Sequence, residues 1–117
     1  MQVERYYDDF YRESEAPQPD DPSRFVEVER IYLLDWDAFD DRRWHDLRTT
    51  YRSLPAWAAA PDLPRWFGVD ESTPPYLWAS VEPPGLQVVG DLQLDAFLAW
   101  HAAFLDGTED LPFRTPV

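Results

Sequence analysis

Two histidines and a group of carboxylates are the side chains best suited to acid–base chemistry in this chain. His45 and His101 are its only histidines, and catalysis would require both of them to meet carboxylates in one cleft. Asp41 precedes His45 by one helical turn, which allows a carboxylate–imidazole contact. The sequence does not show that His101 joins them. We therefore expect a protein without catalytic activity and keep a small metal-dependent enzyme as an alternative.

The densest run of acids consists of Asp35, Asp37, Asp40 and Asp41. A calcium-binding loop places oxygen ligands at fixed positions and a glycine at its sixth position. Counting from Asp35, Phe39 occupies a ligand position and Asp40 occupies the glycine position. Acids at a helix start instead complement the helix dipole. We expect a solvated helix start that holds neither a metal nor another cofactor.

Other common catalytic signatures are missing from the sequence. The chain has no cysteine, which excludes disulfides, thiolate zinc sites and a cysteine nucleophile. Its serines lie outside a nucleophile-elbow sequence, and its 4 glycines form no phosphate-binding loop. The sequence therefore favours a binding protein over an enzyme.

The charge of the chain is strongly negative. It has 23 acidic and 10 basic residues, a formal net charge of −13, and 14 of the acids fall within residues 1–46. Like-charge repulsion argues against direct contact with nucleic-acid phosphates or anionic lipids. The negative charge favours a basic protein as the partner. A homodimer is also compatible with the sequence.

Composition also bears on the source and location of the protein. All 10 basic residues are arginine, asparagine is absent and Ile31 is the only isoleucine, which indicates a GC-rich genome of a bacterium or phage. The N-terminus lacks the basic and apolar regions of a signal peptide. The uncharged stretch 96–105 has half of the roughly 20 residues that a spanning helix needs. We expect a cytoplasmic protein without membrane contact.

Large aromatic side chains are abundant, with 6 Trp, 6 Tyr and 7 Phe. Four tryptophans fall in predicted helices or strands and are expected in the core: Trp36, Trp44, Trp78 and Trp100. Trp57 and Trp66 lie in a proline-rich connection, and we expect them to be exposed. Near the N-terminus, aromatic and acidic residues are interleaved. Interfaces use large aromatics as anchors, and surrounding acids steer a basic partner. The residues predicted to bind the partner are Tyr7, Asp8, Asp9, Phe10, Asp35, Asp37, Asp40, Asp41, Trp57 and Trp66.

Hydrophobic periodicity predicts the elements of the first half of the chain. Residues 3–14 permit either a short helix or an extended segment, and prolines make residues 16–23 a loop. Alternating apolar residues predict a strand over 24–34. A helix is predicted to begin at Asp35 or Asp37 and to end before Pro55.

The second half begins with a long, proline-rich connection. Residues 55–75 form this connection, with a short strand at Trp66 and Phe67. Two strands over 76–82 and 86–89 are predicted to form a hairpin, because Pro83-Pro84-Gly85 suits a tight turn. A second helix follows over 94–106.

These elements predict a single α+β domain over residues 1–117. We expect an antiparallel or mixed sheet of three or four strands with the two main helices on one face. Residues 1–23 are expected to be partly irregular, and residues 108–117 form an irregular tail.

The combined pattern indicates a non-enzymatic, acidic binding protein that neutralises a basic partner, a toxin or effector, as bacterial immunity proteins and antitoxins do. One alternative is a DNA mimic that inhibits a nucleic-acid-binding protein, as phage anti-restriction or anti-CRISPR proteins do. A secretion chaperone is another. The sequence carries no family motif that selects among them.

Overall fold

The computed structural model describes residues 5–13 and 23–114 of the chain, and for residues 9–13 it describes the backbone only. A 3-10 turn over Trp36–Ala38 precedes the first α-helix. The elements are β1 (Tyr6–Glu13), β2 (Phe25–Tyr32), α1 (Asp41–Ser53), β3 (Trp57–Ala58), β4 (Arg65–Trp66), β5 (Tyr76–Glu82), β6 (Gly85–Gln93) and α2 (Leu94–Gly107).

The strands form one six-stranded sheet in the order β1-β2-β6-β5-β4-β3, and all pairs are antiparallel. The predicted α+β class and single compact domain fit this architecture. The prediction of three or four strands is wrong. Residues 6–13 take the extended alternative and pair with β2. The two-residue strands β3 and β4 extend the other edge through the proline-rich connection.

The β5–β6 hairpin is tighter than predicted, because β6 begins at Gly85 and runs to Gln93. Gly85 has a φ of 150°, a conformation that residues with a Cβ rarely adopt. A side chain at this position would also collide with the backbone of Tyr32. Glycine therefore allows the turn to close directly against the end of β2.

Both helices pack on the same face of the sheet. Leu47 and Tyr51 of α1 join Phe97, Trp100 and Phe104 of α2 in one core with the inward residues of β2, β5 and β6. Leu98 of α2 is 49% exposed, because the residues of this helix that face the core are 97, 100 and 104. The core is thus rich in aromatic rings: Trp100 stacks on Phe104 with centroids 5.2 Å apart.

The predicted first helix is divided into two parts. Asp35 accepts a hydrogen bond from the Asp37 N–H at the 3-10 turn, and Asp40 accepts one from the Arg43 N–H at the start of α1 (2.9 Å). Phe39 lies between the two parts with extended backbone. Each part therefore has its own side-chain cap, which satisfies N–H groups that helix starts leave unpaired.

Candidate functional site

One face of the sheet is covered by α1 and α2, and no described helix covers the other face, here called the open face. Side chains alternate along a strand, and paired residues point to the same side. The register therefore assigns to the open face Tyr7 of β1, Phe25, Glu27, Glu29 and Ile31 of β2, Arg65 of β4, Tyr76, Trp78, Ser80 and Glu82 of β5, and Gln87, Val89, Asp91 and Gln93 of β6.

The open face carries several large apolar side chains among its polar ones. Trp78 lies opposite Val89 in the centre of the sheet, and Tyr7 lies opposite Ile31 near its edge. Tyr7 is 43% exposed, and Trp78 and Val89 are half-buried. None of these four side chains belongs to the core beneath the helices. Trp78 and Val89 form the apolar patch of this face. Tyr7 adds a separate exposed ring near the edge, and Ile31 is buried at 4% exposure.

A row of polar side chains crosses the open face beside this patch. Asp91 lies directly opposite Glu27 on one neighbouring strand and opposite Tyr76 on the other. Partial burial, and then the charge of Glu27, raise the pKa of the Asp91 carboxyl. Burial, followed by the charges of Asp91, Glu71 and Glu27, raises the pKa of the Tyr76 phenol. Three carboxylates therefore act electrostatically on one aromatic hydroxyl.

Acidic charge dominates the described side chains of the open face. Glu29 is held by Gln87, whose amide donates to a carboxylate oxygen 2.5 Å away. Arg65 is a cation whose side chain the structure describes on this face, and it is 5% exposed. Its guanidinium pairs with Asp62 (2.6 Å) and Glu71 (3.3 Å) of the preceding and following loops. The charge of Arg65 is therefore neutralised by carboxylates of the same chain.

The N-terminal residues predicted to bind a partner separate in the structure. Tyr7 lies on the open face, whereas Asp8 points to the helical side and pairs with Arg30 through both carboxylate oxygens. The side chains of Asp9 and Phe10 lie outside the described part of the chain. Tyr7 is thus the residue of this group whose described side chain lies on the open face.

The four acids of the predicted helix start belong to the helical layer. Asp35 and Asp40 cap the two helical parts, and Asp37 and Asp41 are exposed. The Arg43 N–H, hydrogen-bonded to Asp40, holds the pKa of that carboxyl below its usual range. Their positions fit the helix-start role expected from the sequence, and they are not part of the open face.

The burial of several tryptophans differs from the burial predicted from the sequence. Trp66 was predicted to be exposed, but it is 0% exposed, packs edge-on against Trp100 and donates its indole N–H to the Tyr51 carbonyl (2.9 Å). Trp57 is half-buried and lines a cavity beside α1. Trp78 was expected in the core and instead lies half-buried on the open face. Trp66 is therefore withdrawn from the predicted partner-binding set because a partner cannot reach it.

Two further core assignments are corrected, since Trp36 and Trp44 are only half-buried. Their rings stack at 5.1 Å with 8° between the planes, and the Trp36 indole N–H donates to the Glu82 carbonyl (2.7 Å). Among the four tryptophans that the sequence assigned to the core, Trp100 is the one that is completely buried. The pair instead forms a fixed aromatic wall at the edge of the helical layer.

The two histidines lie on different helices and in different surroundings. His101 accepts hydrogen bonds at Nδ1 from the Tyr32 hydroxyl (2.7 Å) and the Arg30 guanidinium (3.2 Å). Burial, and then the charge of Arg30, lower the pKa of His101 to about 4. His45 is exposed on α1. Within residues 5–13 and 23–114, no three His, Asp or Glu side chains are grouped to hold a metal ion.

Comparison of this chain with known protein families, curated proteins and solved structures gives no match. Among the described residues, no helix combines the length and the apolar character required to span a bilayer.

Proposed function

We propose that this protein is a non-enzymatic binding protein that captures a basic protein partner on its open face. The observation that carries the proposal is the row formed by Tyr76, Asp91 and Glu27 beside the patch centred on Trp78. Interfaces combine such aromatic anchors with charges that complement those of the partner. The open face replaces the helix-start acids as the expected contact surface.

Binding would use the two parts of this surface differently. An arginine or lysine of the partner would lie at Asp91, where its positive charge favours the ionised carboxylate and offsets the burial that raises the pKa of this carboxyl. Trp78, two residues along β5 from Tyr76, would contact apolar side chains of the partner beside that cation. The negative charge of the whole protein would accelerate the encounter, and added salt would slow it.

An immunity or antitoxin type of inhibitor is the biological role that this mode of binding suits best, because such proteins cover basic functional surfaces of a toxin. We place this action in a bacterial cytoplasm, on the compositional grounds given above. A DNA mimic would need carboxylates in regular rows that follow a phosphate backbone. Here Glu29 and Glu82 are separated by Trp78, Val89 and Gln87 in the register, so the surface favours a protein partner.

Two charge-reversal variants with the same net charge test the proposal. Glu27→Arg with Asp91→Arg alters the open face, and Asp37→Arg with Asp41→Arg alters the helix start by the same four charges. Each variant and the unaltered protein would be immobilised and exposed to lysate of the source organism. Proteins retained through a salt gradient would be identified, purified and assayed again by calorimetry against all three baits.

The proposal expects a basic protein that binds the unaltered chain and the helix-start variant but loses at least tenfold in affinity for the open-face variant. Equal losses for both variants would show that net charge alone governs binding. A loss confined to the helix-start variant would move the interface to α1. Displacement of the partner by duplex DNA, with the same variant pattern, would support mimicry instead.

A further inference from the structure

A second concave surface lies on the helical side of the sheet, away from the open face. It is a cavity of about 470 Å³ between α1, β3, the loop that follows β3, and the strands β5 and β6. Its apolar walls are formed by Trp44, Tyr51, Trp57, Leu63, Ala79, Val81 and Leu86. This volume lies within the range of small-molecule sites, roughly 300–1,000 Å³.

The aromatic walls are held in place by neighbours that belong to the fold. Trp44 stacks on Trp36, and Trp57 packs edge-on against the buried Trp66 with centroids 5.7 Å apart. Val81 also lines the cavity and is 49% exposed, which leaves an apolar surface in contact with water. The cavity is therefore preformed and offers indole surfaces to a flat, apolar ligand.

The charged lining of the cavity is positive, in contrast to the protein as a whole. Arg48 and Arg52 lie one turn apart on α1, and neither forms an ion pair with another described residue. The acid in the lining, Asp62, is bound by Arg65 (2.6 Å), which holds the pKa of its carboxyl well below the usual range. Two guanidinium groups thus remain available beside an apolar cavity.

Arg48 also acts electrostatically on the wall of the cavity. Burial raises the pKa of the Tyr51 phenol, and the charge of Arg48 opposes this rise. Arg48 therefore lies near enough to influence a group in the apolar wall. A guanidinium in this position can form paired hydrogen bonds with a carboxylate or sulfonate.

We propose that this cavity binds an aromatic organic anion, with its rings against Trp44 and Trp57 and its acidic group at Arg48 and Arg52. The proposal does not depend on the open face or on the basic partner. The protein as a whole carries a net charge of −13 and repels an anion. Binding of the anion must therefore arise from Arg48, Arg52 and the aromatic walls of the cavity.

The test uses 1-anilinonaphthalene-8-sulfonate as the anionic probe and N-phenyl-1-naphthylamine, which lacks the sulfonate, as the neutral probe. Probe fluorescence and calorimetry give stoichiometry and Kd. Arg48→Gln with Arg52→Gln removes the two cavity charges. Arg42→Gln with Arg43→Gln removes two charges from the same helix outside the cavity lining and is the matched control. Thermal melting verifies that both variants are folded.

We expect one anionic probe per chain, at least tenfold weaker binding in the Arg48/Arg52 variant, and little change in the control. Binding of the neutral probe should be equal in all three proteins. The proposal fails if the anionic probe does not bind saturably, if both arginine pairs weaken it equally, or if the neutral probe binds the unaltered protein as tightly as the anionic one.

Discussion

Tyr32 donates its hydroxyl hydrogen bond to Nδ1 of His101 across a distance of 2.7 Å, joining β2 to α2. Burial raises the pKa of Tyr32, so its hydroxyl keeps the proton. The Arg30 guanidinium donates to the same nitrogen. Because both neighbours are donors, Nδ1 is the acceptor and the imidazole proton lies on Nε2. A second proton on Nδ1 would face two donors and a nearby positive charge.

This arrangement predicts a loss of stability in mild acid. The pKa of His101 is about 4 in the folded protein, against about 6.5 for an ordinary histidine. Between these values the unfolded chain binds a proton that the folded chain does not, so unfolding becomes more favourable as the pH falls. The contribution of neutral His101 to the free energy of unfolding is complete above pH ~6.5. It is lost progressively as the pH falls toward 4. Urea unfolding at pH 7.5, 6.5, 5.5 and 5.0 would measure this slope.

His45 provides the matched control for this prediction. His101→Gln should reduce the slope between pH 7.5 and 5.0, whereas His45→Gln on the exposed side of α1 should preserve it. Solvent screening reduces the effect below one proton's full contribution, because His101 is only half-buried. The same slope in all three proteins would assign the acid sensitivity to other groups.

Protonation of Asp91, in contrast to that of His101, is expected to stabilise the folded protein. Two like charges lie directly opposite each other at Asp91 and Glu27, and this arrangement destabilises a sheet. Asp91→Asn should therefore raise the free energy of unfolding at pH 7 by about 0.5 kcal/mol, the scale of a cross-strand pair. The raised pKa of Asp91 means that acid also removes this repulsion. The gain should shrink as the pH falls through that pKa, when the carboxyl is protonated.

Chemical unfolding of Asp91→Asn at pH 7 and pH 4 would measure both parts of this prediction. Asp110→Asn makes the same chemical change at an exposed position and is expected to leave stability within error. A destabilised Asp91→Asn protein would show that the carboxylate makes a favourable contact that outweighs its repulsion by Glu27.

The parts of the fold predicted correctly are those with a strong local pattern. Alternation identifies β2 and the hairpin, while residues 97, 100 and 104 follow helical spacing. The edge strands lack such a pattern: the aromatics of β1 suit a helix or a strand, and β3 and β4 have two residues each. Pairing with a neighbouring strand decides these segments, and that partner is distant in sequence.

The candidate site was harder to predict because it depends on which face the helices cover. In β5 the residues Leu77 and Ala79 alternate with Tyr76 and Trp78, so both faces are apolar enough to be the core. The helices cover Leu77 and Ala79, which leaves Trp78 on the open face. The row that includes Asp91 and Glu27 joins residues far apart in the chain and depends on the strand register. Sequence indicated the acidic and aromatic character of the surface, but not its place.

The contrast between Trp66 and Trp78 can be measured directly. Trp66→Ala would leave a cavity in the core and release the Tyr51 carbonyl from its hydrogen bond, so we expect a loss of about 3–5 kcal/mol. Trp78→Ala should cost about 1 kcal/mol or less, since its ring is half-buried on the open face. Urea midpoints of both variants provide the comparison. A severe loss in Trp78→Ala would indicate that this ring serves stability as much as binding.

The pKa of His101 supplies the sharpest test of the geometry around Arg30. Asp8 raises this pKa and Arg30 lowers it, and the two residues form an ion pair with each other. Asp8→Asn should therefore lower the pKa of His101, whereas Arg30→Gln should raise it toward that of an ordinary histidine. An NMR titration of the imidazole Cε1–H signal of His101 would measure both shifts. Shifts of the same sign in both variants would mean that loosening of β1, rather than charge, controls the titration of His101.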